Sequence, residues 1–302
     1  MAHLITYKAV YDPDTHAERY YWDNGDKTVE FDPTRMYRFF VKNDKNVYIA
    51  GENRSYENIR LHKGWNRIGY LAMANLPVAT ALADYTDAAS DGDIIKSQSE
   101  FAVLNIDAQG NRTWKGTLAF LHNGEGYMLK RNADTECSFG YPFYISGSRY
   151  NQVKQQVHQA PLFRNTSGGS MNVIARTEGV ELPEGCRLVA YDRSGQTCGV
   201  AQPDADGLFF LTVADTQDGS VGFYIEQDEE IIAATTLKIP YQADGVMGTL
   251  EEPTIISFER AEGLAGSGWY DISGRKLQGK PTRRGVYIHN GKKETIKVGS
   301  IN

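Results

Sequence analysis

Catalysis by side chains needs a nucleophile, a base and an orienting group, or a cage of metal ligands, converging in one cleft. The six histidines, His3, His16, His62, His122, His158 and His289, stand singly, mostly beside turn residues. No H-x-x-x-H, H-E-x-x-H, G-x-S-x-G or P-loop spacing joins them to a partner. A glycosidase would need two carboxylates about 5–10 Å apart across a sugar site. The 38 acidic residues fall mostly in turns, and Asp228-Glu229-Glu230 and Glu251-Glu252 read as solvated loop charges. The clusters Asp12-Pro13-Asp14 and Asp23-Asn24-Gly25-Asp26 lack the alternating ligands and distant glutamate of a calcium loop, and read as turns. No catalytic residue, metal site or cofactor is expected.

The three cysteines, Cys137, Cys186 and Cys198, include no C-x-x-C pair. Cys186 and Cys198 flank a hairpin turning at Arg193 to Gln196, a register that sets Cys198 opposite Tyr191 and Cys186 opposite Pro203. On opposite faces they cannot bridge, so free thiols packed as small hydrophobes are expected. Binding chemistry is better represented. Tyr20, Tyr21 and Trp22, next to an Asn-Gly turn, offer flat aromatic faces of the kind on which sugar rings dock. Trp65 and Trp114 sit within strand patterns and read as core anchors.

The elements that must position these residues are strands. Thirty glycines and 18 tyrosines against 10 prolines suit short strands joined by tight turns. With 41% hydrophobic and 23% charged residues, the 302-residue chain is ordinary globular material, long enough for two or three domains. A net charge of −6 disfavours a nucleic-acid partner. No apolar run reaches the roughly 18–20 residues of a membrane span. The first residues, Met1-Ala2-His3-Leu4, carry no secretory signal pattern.

Alternation predicts strands over 4–11, 20–22, 28–31, 36–41 and 46–49, taken as the closing part of a β module spanning 1–60. A second module covers 61–145: a strand over 64–70, one short helix from Pro77 to Tyr85, a strand block over 92–103, and strands near 114–118 and 124–129. The stretch Phe31 to Phe39 aligns with Leu121 to Lys130, as though residues 1–60 closed an earlier copy. Polar, glutamine-rich residues 146–160 read as a linker. Seven short strands over 161–258 predict an immunoglobulin-like sandwich. Residues 259–302 form a last unit, with Trp269, Tyr270 and Ile272 before a Ser273-Gly274 turn and Val286 to Ile288 before an Asn290-Gly291 hairpin turn. The fold class is therefore mainly β: tandem sandwich-like modules with one short helix, ending in a small C-terminal β-hairpin unit.

The last unit resembles the C-terminal sorting domain (type A) of the type IX secretion system. That family's signature is an "iYD-x-x-G-r" strand and turn, then a "G-i/v-Y-i/v-x-x-x-G" strand with a basic finish. Tyr270, Asp271, Gly274 and Arg275 fall on the first half, and Gly285, Tyr287, Gly291 and Lys292 on the second. The family domain usually has seventy residues or more, of which only the last forty match. Residues 61–145, with Gly64-Trp65-Asn66-Arg67-Ile68-Gly69-Tyr70 and Gly92-Asp93-Ile94-Ile95-Lys96-Ser97-Gln98, resemble a module of secreted and surface proteins of gut anaerobes, and 161–258 resembles a module found beside it. These resemblances imply an extracellular or outer-surface address, secretion machinery as partner of the terminal unit, and a non-enzymatic role in binding or adhesion to a glycan or extracellular protein. A sorting tail without an entry signal implies a mature form or the back end of a longer protein. The alternative is that these are accessory, carbohydrate-binding domains of a larger secreted hydrolase.

Overall fold

Apolar residues at every second position become strands throughout, and helix is confined, among the described residues, to two single turns. The computed structural model describes residues 6–12, 17–23, 32–37, 57–142, 169–214, 216, 219–228, 230–260, 268–283, 285–290 and 292–296; for 6–12, 17–23, 259 and 260 the description covers the backbone alone. The strands expected over 28–31 and 46–49 and the linker at 146–160 lie outside these residues. The chain divides into two compact units, Met1–His158 and Gln159–Asn302.

The first unit is built on a five-stranded antiparallel sheet in the order Gly64–Gly69, Gly126–Arg131, Ile94–Lys96, Phe101–Ile106, Arg112–Gly116. One face carries Ile68, Ile95, Leu104, Tyr127 and Leu129 into a core closed by Leu76, Leu82, Tyr85 and Phe139. The expected block 92–103 is two strands. Ser97 N–H donates to Glu100 O at 2.9 Å and Ser97 Oγ accepts from Glu100 N–H at 3.1 Å, so a serine-stabilised turn folds the run back on itself. The expected helix is likewise split, into Val78–Ala81 and Ala83–Thr86, by Leu82 at φ −102° and ψ 19°. Ala81, Leu82 and Tyr85 all lie in the core.

A buried polar clasp ties this helical corner to the sheet. Asp93, fully buried, accepts hydrogen bonds from Tyr85 Oη (2.6 Å), Ser90 N–H (2.9 Å) and Asn132 N–H (2.8 Å). Arg131 donates to Ala88 O and Thr135 O, both at 3.0 Å, and lies over the Tyr85 ring. Trp114 is half-buried against the same core, donating from Nε1 to Thr86 Oγ1 at 3.1 Å. The two aligned turns share a bond: Tyr37 Oη accepts from Asp32 N–H, and Tyr127 Oη from His122 N–H, both at 2.8 Å.

The second unit contains a β-sandwich. One sheet has Ser170–Glu178 antiparallel to Phe209–Ala214 and parallel to Val246–Met247 and Thr254–Ser257. The facing sheet runs Thr197–Ala201, Arg187–Tyr191, Ser220–Gln227, Glu230–Pro240, and continues through Lys292–Ile296 and Gly285–His289 to Trp269–Asp271. Met171, Val173, Phe209 and Leu211 of the first sheet meet Leu188, Ala190, Phe223 and Ile225 of the second.

The cysteine register departs from expectation. Leu188 to Ala190 pair with Ala201 to Gly199, but a bulge then sets Tyr191 opposite Thr197 and leaves Cys198 as the extra residue. The bulge turns Cys198 into the core that also holds Cys186, so the two share a cluster instead of lying on opposite faces; both are free. Burial pushes the Cys198 thiol from 9.0 to about 12. The stability gained by keeping it neutral is complete below pH 9.0 and is lost as pH rises from there through about 12. In the native protein at pH 8, Cys186 and Cys198 are expected to resist a thiol reagent such as Ellman's for hours, with half-buried Cys137 reacting first; all three should titrate within minutes in urea. Equal native reactivity of the three would contradict this packing.

Candidate interaction surface in the C-terminal strands

The strand Arg187–Tyr191 reads Arg-Leu-Val-Ala-Tyr and is apolar at four consecutive positions, a pattern that suits a strand covered on both faces. Leu188 and Ala190 face the sandwich core. Val189 and Tyr191 point the other way, with Tyr224, Ile231 and Ala234, and are covered by Tyr270, Ile272 and Ile288. The C-terminal strands thus form a third layer on the sandwich. Among the described residues their backbone joins the sheet at one pair, Glu230 with Lys292.

Turn chemistry builds the first half of this layer. Asp271 Oδ1 accepts from Ser273 N–H (3.1 Å), Ser273 Oγ (2.6 Å) and Arg275 N–H (3.0 Å), while Gly274 at φ +84° donates its N–H to Asp271 O. Only a residue free to adopt a left-handed φ fits there without strain. In the second half His289 pairs with Lys292, and Asn290, which follows His289, takes φ +55°. Trp269 then pairs with His289, Tyr270 with Ile288 and Asp271 with Tyr287, so the two half-motifs become neighbouring strands.

Alternation sorts these side chains into two faces. Tyr270 and Ile288 are buried inward, and Lys293, cross-strand from Ile288, donates from Nζ to Tyr224 Oη at 3.1 Å and lies 3.8 Å from Glu226. Arg187 pairs with the same Glu226. Burial, and after it the charge of Asp271, pushes the Tyr191 phenol well above its usual range. The outward face carries Trp269, His289 and Lys292 in one row and Tyr287 and Glu294 in the next. The Trp269 and His289 rings stack with centroids 4.2 Å apart and planes 5° apart, Lys280 Nζ lies 5.7 Å from the indole centroid, and His289 Nδ1 is 3.0 Å from Glu294 Oε1. Arg275 is exposed, with Nε donating to Asp271 Oδ2 at 3.0 Å. Tyr287 donates from Oη to Arg283 O, and Gly285 opens its strand. Gly291 lies outside the described residues.

No family model, curated protein or solved structure matches the chain.

The turn of the first half-motif is not confined to the tail. Asp192 Oδ1 accepts from Ser194 N–H (2.9 Å), Ser194 Oγ (2.7 Å) and Gln196 N–H (2.9 Å), with Gly195 at φ +80°. Tyr191-Asp192-Arg193-Ser194-Gly195 therefore repeats Tyr270-Asp271-Ile272-Ser273-Gly274 in sequence and in hydrogen bonding. Asp107 to Asn111 and Asp204 to Leu208 use the same carboxylate-to-backbone plan, with Gly110 at φ +84° and Gly207 at φ +74°. The spacing D-x-S-G, printed twice in the sequence, was the signal that could have exposed this recurrence. The two Tyr-Asp turns also meet: a Cβ on Gly195 would lie 3.3 Å from Ile272 Cδ1, and both tyrosines belong to one apolar cluster.

The tail is also electrically distinct. Residues 268–302 hold eight Lys and Arg against Asp271 and Glu294, a net charge of +6, which leaves −12 on the preceding residues. Of the other candidate binding residues, Tyr20, Tyr21 and Trp22 lie on the strand Ala17–Asp23, backbone-paired with Ala9, Lys8 and Tyr7, and their side chains lie outside the described residues. Trp65 is half-buried, with Lys96 Nζ 4.8 Å and Lys130 Nζ 6.0 Å from its ring centroid. Among the described residues no three His, Cys, Asp or Glu gather as a metal site, and no helix is long and apolar enough to cross a membrane.

Proposed function

We propose that this chain is a non-enzymatic exported protein, or the C-terminal part of one, acting at the outer cell surface or outside the cell in binding or adhesion. Residues 259–302 are its secretion and sorting element, recognised by export machinery. The observation that carries this reading is the convergence of the two half-motifs, separated in sequence, on adjacent strands of one small basic unit. A recognition element needs such a unit, because a receptor reads surface shape and charge together. The upstream modules supply loops on a rigid strand framework, where recognition normally sits. The immunoglobulin-like reading of residues 161–258 belongs to the same proposal.

Cell fractionation of the source organism tests it. The full chain should reach the surface or medium, and a chain lacking residues 263–302 should stay inside. Equal surface display of both chains would discard the sorting role.

A further inference from the structure

Resting on the sorting-element reading, we infer that the part of the tail read by its partner is the outward face bearing Trp269, His289 and Lys292, with Arg275 beside it, and that this face docks into an acidic groove on a partner protein. Three observations converge on it. The inward signature residues are already used: Tyr270 and Ile288 are buried against the sandwich, and Lys293 is engaged with Tyr224 and Glu226. Tyr270 and Ile288 are closed to a partner meeting the folded chain, while the Lys293 side chain, 32% exposed, has its ammonium group already held by Tyr224 and Glu226.

The Tyr-Asp-x-Ser-Gly turn cannot by itself mark the tail, because residues 191–195 present the same turn with the same hydrogen bonds. A receptor reading that turn alone would be offered it twice. Discrimination must therefore fall on what the tail has and the first copy lacks. Position 275 is an exposed arginine where the first copy has Gln196, and the tail adds the Trp269–His289 stack flanked by Lys280 and Lys292. Aromatic and arginine side chains are the residue types that anchor interfaces.

Charge then fixes the partner's chemistry. A unit of +6 on a body of −12 is repelled by basic surfaces and steered to acidic ones. Glu294, hydrogen-bonded to His289 on the same face, interrupts the positive field at a fixed place. An anionic membrane responds to net charge alone, and a glycan adds only stacking on an aromatic face, whereas a folded acidic groove reads the indole and the placement of Glu294 among the cations together. Such a face suits a protein partner.

The test uses the full chain expressed in its source organism, with surface display measured for four changes: loss of residues 263–302, Trp269→Ala, Lys292→Glu and the inward control Lys293→Met. His289→Ala is a second outward variant should Trp269→Ala not fold, and thermal melts of each purified chain establish folding. Trp269→Ala and Lys292→Glu are expected to cut display by about tenfold or more, close to the effect of the deletion, with Lys293→Met near the parent. If the deletion abolishes display and the outward variants behave like the parent, the inference fails and the sorting role stands. If Lys292→Glu loses display while the folded aromatic variants keep it, the partner is a polyanion and the protein-groove assignment is overturned. If the deletion itself has no effect, the sorting role falls and the inference with it.

Discussion

Replacing Ile288 with alanine is expected to destabilise the second unit by about 2–5 kcal/mol, the usual cost of emptying a fully buried aliphatic site. Ile288 is central to the layer between the tail and the sandwich, where it shares a cluster with Tyr191, Tyr224 and Ile231. Among the described residues one backbone pair joins this layer to the sandwich sheet, and the apolar cluster supplies most of the docking, with the Lys293–Tyr224 bond a smaller part. Urea unfolding followed by tyrosine and tryptophan fluorescence measures the loss. A cost under about 0.5 kcal/mol, the range of ordinary surface changes, would mean that the tail does not cover the sheet.

A comparable loss is expected in the first unit for Asp93→Ala. Its carboxylate satisfies Tyr85 Oη, Ser90 N–H and Asn132 N–H inside the fold, and its removal strands these donors at about 1–3 kcal/mol for each one left without water. The total should be about 3 kcal/mol or more. Burial, reinforced by the bond to Asp93, keeps the Tyr85 phenol protonated far above its usual range, so it remains a donor at any ordinary pH. Asp93→Asn keeps an acceptor oxygen and should cost less than alanine. The two variants can be ranked by chemical denaturation, and equal stability of parent and Asp93→Ala would remove the clasp from the account.

What could be read before the structure was set by period. Leu208 to Val213 and Gly222 to Ile225 announce strands because packing rewards a large residue on each covered face, and the structure has strands there, Phe209–Ala214 and Ser220–Gln227. The tail's turns were legible for a related reason: Gly274 and Asn290 take positive φ, which few other residues tolerate. Local interruptions were harder to read. The bulge at Cys198 changes a register by one residue without any compositional mark, and no Gly or Pro marks Leu82, where the helix divides.

The third layer had a trace that went unread. Val189 and Tyr191, interleaved with Leu188 and Ala190, require apolar cover on the outer face, and residues 259–302 taken as a unit apart left that face without one. The outward row of Trp269, His289 and Lys292 depends on strand register across two hairpins, which sequence spacing constrains but does not fix.

The claim on which the rest depends is that the C-terminal strands pack on the sandwich with Tyr270 and Ile288 inward and Lys293 bonded to Tyr224. A double-mutant cycle between Lys293→Met and Tyr224→Phe tests it most directly, because the two side chains are 69 positions apart and meet only through this packing, by a 3.1 Å hydrogen bond. The account predicts a coupling of about 0.5 kcal/mol or more in urea unfolding. Strict additivity of the two substitutions would contradict it.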